Sequence, residues 1–282
     1  MKDLSNENVI HVKKENIEYI QFRKLLEYKD ILNHCFTLKK YNLDFSMHKD
    51  TTKYKPIVIE NYKRVCKEFN MDYRQIVRPW QTHSANVANI ENKVNKNEPD
   101  IGLEELNDVD GVITNKKNII LSTINADCIL FLFFDPIKKV IANVHSGWKG
   151  TFQKISQNAV QKMIMDYNCN PENIICCICP SISAEKFCVH DDVEKPCREI
   201  FSYTGREEEF IKLGEVEEGR QKYYIDTILI NKIMLLDLGL KEENIIESKI
   251  CSVKNSDQIH TKRGSKNDFF GVNTALIELA GE

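Results

Sequence analysis

The sequence predicts a mixed α/β protein of the α+β kind, on three observations. Apolar runs of strand length recur through the middle of the chain, at least one pair is joined by a hairpin turn, and only two long stretches repeat with helical spacing. Runs that are apolar at every position, rather than at every second one, belong to strands covered on both faces. Strands outnumber helices and do not alternate regularly with them, which excludes a regular doubly wound sheet.

The first twenty residues are polar and rich in lysine and read as an N-terminal extension with room for a pair of short strands. Residues 21–282 read as one domain, because no Gly/Ser- or Pro-rich linker divides them. Phe22 to Tyr28 suits a short helix or turn before HCFT (His34 to Thr37). Glu91 to Asp108, which contains NKVNKNEPD, reads as a surface loop. Strands are expected over Asp110 to Thr114, Asn118 to Thr123 and Ile129 to Asp135. Asp135-Pro136 and Lys138-Lys139 then turn the chain into a return strand from Lys139 to His145. A helix is expected after Gly150, with Thr151 as its N-cap and Ile155, Ala159, Val160, Met163 and Ile164 on its apolar face. Strands at Asn173 to Cys179 and Tyr223 to Ile225, a helix over Thr227 to Leu238 capped by Gly239, and a closing strand at Gly271 to Leu279 complete the reading.

Bulk properties narrow the function. The chain of 282 residues is 42% hydrophobic, enough for a sizeable core, and its formal net charge is −3. So small a charge gives no global attraction to nucleic acid or to an anionic membrane, and neither is expected as a partner. The apolar runs are too short to cross a bilayer. The N-terminus carries no signal-peptide pattern, so the 10 cysteines are read as free thiols in a reducing cytoplasm.

Three segments put reactive groups where strands meet loops: Gln81-Thr82-His83-Ser84, Asn125-Ala126-Asp127-Cys128 and His145-Ser146-Gly147-Trp148-Lys149-Gly150-Thr151. Two imidazoles and a thiolate (His83, His145 and Cys128) make the donor set of a catalytic zinc site with one position left for water or substrate. Asp127, next to Cys128, is a candidate hydrogen-bond acceptor or proton shuttle. Gly147 and Gly150 allow close backbone approach, and the helix start beyond them offers free N–H groups to an anion. The composition of the trio is a weak signal by itself, since a cysteine between apolar strands is most often inert core. Cys176, Cys177 and Cys179 are read as core for that reason. Cys188 and His190, beside Asp191 and Asp192, are read as a polar turn rather than a metal site.

The chain resembles the laccase-domain (YfiH-type) family, once called multicopper polyphenol oxidases and now regarded as purine nucleoside phosphorylases. The resemblance rests on QTHSANV (Gln81 to Val87), DVDGVITN (Asp108 to Asn115), NADCILFLFFDP (Asn125 to Pro136) and VHSGWKGT (Val144 to Thr151). CPSISAEKFCVHDDV (Cys179 to Val193) and YIDTILINKIMLLDLGL (Tyr224 to Leu240) extend it. It implies layered mixed β-sheets flanked by helices, with His83, Cys128 and His145 as ligands of zinc, or of copper, which takes the same donors. It also implies Arg263 and Lys149, with Gln81, as contacts to substrate and phosphate. The implied reaction is phosphorolysis of adenosine, inosine, guanosine and methylthioadenosine, with adenosine deamination as a side activity. The chain departs from the family pattern at FTLKKYNLDFS (Phe36 to Ser46), where a glycine pair is missing, and at Asn125, Cys179, Cys188 and Lys254. Three rival readings remain: a copper-dependent phenol oxidase, which only 7 histidines serve poorly, a metal-free cysteine hydrolase with Cys128 as nucleophile, and a non-catalytic binding protein on the same fold.

Overall fold

The structure, a computed structural model, describes residues 2–47, 51–265 and 270–281. Two large sheets stack face to face. The first has seven strands: β1 (Val9–Lys13), β2 (Glu18–Phe22), β3 (Leu32–Thr37), β4 (Ile76–Arg78), β6 (Asp100–Ile101), β8 (Ile120–Asn125) and β16 (Asn273–Leu279), in the order β1-β2-β3-β16-β8-β4-β6. The second has six: β5 (Val87–Asn89), β7 (Gly111–Thr114), β9 (Ile129–Asp135), β10 (Val140–Ser146), β11 (Ile175–Ile178) and β15 (Ile245–Glu247), in the order β15-β11-β9-β10-β7-β5. A smaller sheet, β12-β14-β13, joins β12 (Cys188–Val189), β13 (Ile211–Glu217) and β14 (Arg220–Ile225).

Strand β9 explains the layering. Every residue from Ile129 to Asp135 is buried. Leu130, Leu132 and Phe134 point into the core between the two large sheets, together with Phe36, Leu121 and Ile277. Phe131 and Phe133 point the other way, onto Ile155, Ala159, Val160 and Met163 of a helix. Period-two alternation divides one apolar run between two cores. The far face of the seven-stranded sheet is covered in turn by Val58, Tyr62 and Val65 of another helix. The molecule is therefore four layers deep: helix, sheet, sheet, helix. Between the sheets, Asn143 satisfies its amide by donating to Leu121 O at 3.0 Å and Ala275 O at 2.8 Å and by accepting from the Thr123 hydroxyl.

The helices are α1 (Arg23–Leu26), α2 (Thr51–Glu68), α3 (Trp148–Phe152), α4 (Ile155–Tyr167), α5 (Asp191–Phe201), α6 (Glu207–Phe210) and α7 (Thr227–Asp237). In α7 Asp226 caps the first turn through Leu229 N at 2.9 Å, and Gly239 takes the left-handed conformation (φ +93°) that ends it.

The pair of short strands for which the first twenty residues left room is formed by β1 and β2, which extend the seven-stranded sheet, and Val9, Ile17 and Ile20 are buried in it. Several sequence expectations change. Thr151 is not an N-cap. Helix α3 begins earlier, with Gly147 in the cap position, and the Thr151 hydroxyl is turned inward to Ser146 at 2.9 Å and Asn231 at 3.1 Å. The chain then breaks at Lys154, in the left-handed region, before α4 starts. The helix start that was expected to hold an anion is thus a five-residue turn. The stretch from Glu91 to Asp108 is largely irregular but contains β6, and Lys93 and Asp100 form a buried ion pair of 2.8 Å within it. Helices α2 and α5 have no counterpart in the sequence reading. Each carries a proline inside it, Pro56 and Pro196, a residue that ordinarily argues against a helix. No helix among the described residues is long and apolar enough to cross a membrane.

Candidate metal centre

Strand register assembles the site. Strand β10 lies between β9 and β7, pairing His145 with Leu130, Ser146 with Ile129 and Val144 with Gly111. Continuing those registers by a step or two sets Cys128 against Gly147, and Asp110 beside His145. The His145 N–H donates to Asp110 O at 2.7 Å. The turn carrying His83 joins β4 to β5 and folds over the same end of the sheet.

The three donors meet there. Ligand atoms of His83, Cys128 and His145 all lie within 4.8 Å of one another. Cys128 Sγ is 3.7 Å from His83 Nε2, and the two imidazole rings stand nearly perpendicular, 4.9 Å between centroids. His145 is buried, Cys128 half-buried and His83 exposed, so the cluster opens to solvent on one side. Gly147 covers it closely. A Cβ on Gly147 would sit 2.4 Å from His83 Cδ2 and 3.2 Å from Cys128 Sγ. The bare backbone therefore leaves the space next to the donors free. Two nitrogens and a sulfur in this cradle fit a divalent transition-metal ion with a vacant coordination position.

Asp110 organises the cluster, and the sequence reading missed it. Its Oδ1 lies 2.7 Å from His145 Nδ1 and accepts from His83 N at 3.0 Å. Its Oδ2 accepts from Thr82 N at 3.0 Å, Ser84 N at 2.8 Å and Ser84 Oγ at 2.8 Å. Burial by itself would raise this carboxyl, but His145, by hydrogen bond and by charge, and the donors of Ser84 and Thr82 hold it down at about 2. With Nδ1 bound to the carboxylate, Nε2 of His145 is left to face Cys128 and His83. In the pair Cys128 and His145, burial disfavours both charges. Their mutual attraction outweighs it, lowering the thiol and, with Asp110, raising the imidazole.

Backbone strain also collects here. His83 (φ +67°) and Asp127 (φ +86°) adopt left-handed conformations without being glycine, each at a cost of about 1–3 kcal/mol. Gly147, by contrast, has an ordinary φ of −72°.

Asp127 lines the same cavity, but its carboxylate is committed elsewhere. Oδ1 accepts from Ser252 Oγ at 2.6 Å and Thr261 Oγ1 at 2.5 Å, and Oδ2 from Arg263 N at 2.7 Å. It braces the segment that presents Arg263. The Gln81 amide is likewise engaged, donating to Ile124 O and accepting from Ile124 N, both at 2.8 Å, so that it ties the His83 turn to β8. Arg263 donates through Nη1 to Cys188 O at 2.9 Å and lies over the Phe187 ring. Lys149 is exposed and lies over Trp148. All of them border a cavity of about 970 Å³ whose wall includes the three donors. His190 caps the approach to α5 and its Nδ1 meets Gln221 O at 2.9 Å, while Cys176, Cys177 and Cys179 are core.

Stacked sheets carry two imidazoles and a thiol on a cavity wall, a donor set that could hold a metal ion, and comparison with known proteins places the scaffold in a family. Residues 36–280 match the family described as multi-copper polyphenol oxidoreductase laccase, and the chain belongs to that family. Purine nucleoside phosphorylase YlmD of Bacillus subtilis is 29% identical over 228 residues, covering 77% of this chain and 78% of that protein. Adenosine deaminase RL5, from an unknown prokaryotic organism, is 28% identical over 195 residues, 69% of this chain and 72% of that protein. The crystal structure of the Bacillus licheniformis hypothetical protein YfiH superposes with a TM-score of 0.82 at 22% identity, over 95% of this chain and 98% of that one. The chain is thus an enzyme of this family, with the fold of layered sheets that the resemblance implied.

Proposed function

We propose that this protein is a zinc-dependent purine nucleoside phosphorylase with adenosine deamination as a side activity. The observation that carries the proposal is the convergence of His83, Cys128 and His145 beside a cavity lined by both aromatic rings and cations. In phosphorolysis the C1′–N9 bond breaks and its electron pair leaves with the purine. A phosphate oxygen bonds to C1′, and a proton reaches the base, giving ribose 1-phosphate and free purine. His83, Cys128 and His145 would hold the zinc ion, which would supply a Lewis acid.

The chain's own groups do the rest. Trp148 and Phe187 line the cavity and offer flat apolar faces to a purine. Arg263, its backbone held by Asp127, presents a guanidinium to phosphate, and Lys149 adds a second positive charge. Asp110 holds His145 in one tautomer and keeps the His83 turn in place. Substrates are purine nucleosides, among them adenosine, inosine, guanosine and methylthioadenosine, with inorganic phosphate. The partners are therefore small molecules. All ten cysteines are free thiols, which suits a reducing cytoplasm.

A copper-dependent phenol oxidase would need further histidines. Of the seven, His11, His34, His190 and His260 are hydrogen-bonded elsewhere, to Glu18, Phe22, Gln221 and Leu43, and His48 lies outside the described residues. The metal-free hydrolase reading is favoured by one observation: Cys128, His145 and Asp110 form a thiol–imidazole–carboxylate series. Purine release from adenosine and inosine, assayed with and without phosphate, tests the proposal. Release that needs phosphate and disappears in Cys128→Ala is expected, and release that continues unchanged without phosphate rejects it.

A further inference from the structure

The cavity holds more positive charge than one phosphate requires. Lys149, Arg220, Lys262 and Arg263 all line it, against the carboxylates of Asp127 and Asp192. Asp127 is saturated by Ser252, Thr261 and the Arg263 N–H. Among the described residues, none of the four cations has a carboxylate within ion-pair distance, whereas basic side chains elsewhere do, as in Lys222 with Glu217 at 2.7 Å, Lys254 with Glu185, and Lys195 with Asp191 at 2.9 Å. Unpaired cations gathered on one concave wall raise the local concentration of anions.

Two of these cations can be placed along the β12–β14 strand pair. Arg263 is anchored on Cys188 O, and Cys188 pairs with Tyr224. Arg220 stands four residues from Tyr224 along β14, an α-carbon separation of about 13 Å. Arg220 therefore rises from a backbone position well along the strand from the Tyr224 register at which Arg263 is anchored. Lys262, the residue before Arg263, lies over the Phe270 ring. The cavity thus has one cationic point at Arg263 and another at Arg220. At about 970 Å³ it is at the upper end of the usual range for small-molecule sites, roughly 300–1,000 Å³, so a nucleoside and a phosphate leave room to spare.

We propose that the cavity has a second anion subsite, centred on Arg220, that takes the 5′-phosphate of a purine nucleoside 5′-monophosphate while inorganic phosphate keeps the Arg263 position. This rests on the reading of the cavity as a purine nucleoside site and extends it to a class of ligand with two charges to place. Guanidinium recognises a terminal phosphate through paired N–H donors, which the neutral 5′-hydroxyl of a nucleoside does not match.

Titration calorimetry on the metal-loaded full chain tests this with 9-deazaadenosine and its 5′-monophosphate, whose carbon–carbon glycosidic bond phosphate cannot cleave, each with and without saturating inorganic phosphate. The monophosphate is expected to bind roughly tenfold more tightly, to keep that advantage in saturating phosphate, and to lose it in Arg220→Ala, with circular dichroism confirming that the variant is folded. Equal affinities for the two ligands would overturn the proposal. So would an advantage that disappears in phosphate, because the monophosphate would then be occupying the Arg263 position. Phosphate-dependent adenine release from adenosine is measured separately. If release occurs but the monophosphate binds no better, the subsite falls and the phosphorylase reading stands. If the monophosphate binds through Arg220 but no phosphate-dependent release occurs, the subsite stands and the phosphorylase reading falls.

Discussion

Asp110 Oδ1 lies 2.7 Å from His145 Nδ1, and the same carboxylate accepts the backbone N–H groups of Thr82, His83 and Ser84. One buried side chain thus fixes the ring orientation of one proposed ligand and the backbone of another. Asp110→Asn keeps the size but turns an N–H₂ towards donors that need an acceptor. Zinc affinity should fall about 10–100-fold, read by competition with a chromophoric chelator. An unchanged competition midpoint in the folded variant would show that Asp110 supports the fold alone.

Gly147 makes a steric prediction. A methyl group there would lie 2.4 Å from His83 Cδ2 and 3.2 Å from Cys128 Sγ. Because Gly147 has an ordinary negative φ (−72°), alanine suits the backbone, and the strain falls on the two donors. Gly147→Ala should retain the thermal stability of the metal-free protein to within about 1 kcal/mol and lose stoichiometric zinc. Full zinc occupancy in the variant would contradict this account of the cradle.

For Asp127 the structure and the sequence reading make opposite predictions. Its carboxylate serves Ser252, Thr261 and Arg263 N, hydrogen bonds whose loss would cost about 1–3 kcal/mol of loop order. Asp127→Ala should raise KM for phosphate several-fold, with zinc content unchanged and a smaller effect on kcat. A proton shuttle would give the reverse: a collapse of kcat, an altered pH profile and an unchanged KM for phosphate.

His34 sets part of the acid limit of stability. Its Nε2 accepts the Phe22 N–H at 2.8 Å, Nδ1 has no partner, and burial pushes its pKa down from 6.5 to about 3. Above pH 6.5 the ring is neutral folded or unfolded. As pH falls towards 3 the unfolded chain takes up a proton that the folded one refuses, and stability drops by on the order of 4 kcal/mol. His34→Gln, which can still accept from Phe22, should lose less stability between pH 6.5 and 4 in urea titrations. Parallel losses in the two proteins would rule His34 out.

The legible parts of the fold were those with local signals. The continuous run Ile129 to Asp135 announced a strand buried on both faces, and the apolar repeat through Ile155, Ala159 and Met163 announced α4. Helices α2 and α5 were hidden by internal prolines, each near enough to the N-terminus to remove only one early hydrogen bond. The three proposed ligands were visible because Cys128 and His145 sit at the ends of apolar strands and His83 lies in the polar turn between two strands. Asp110 occupies a similar position, in DVDG, but only the pairing of β7 with β10 puts it beside His145. Gln81 and Asp127 carried polarity that the sequence could not assign to a partner. Both face backbone or hydroxyl groups brought in by long-range contacts, from Ile124 in one case and from Ser252, Thr261 and Arg263 in the other.

The central claim is that His83, Cys128 and His145 hold a single ion. X-ray absorption at the zinc edge, on protein purified without chelators, tests it most directly. The account predicts one zinc per chain with two nitrogen neighbours at about 2.0–2.1 Å and one sulfur at about 2.3 Å, and no sulfur shell in Cys128→Ser. Zinc bound without a sulfur neighbour, or a sulfur shell that persists in Cys128→Ser, would contradict it.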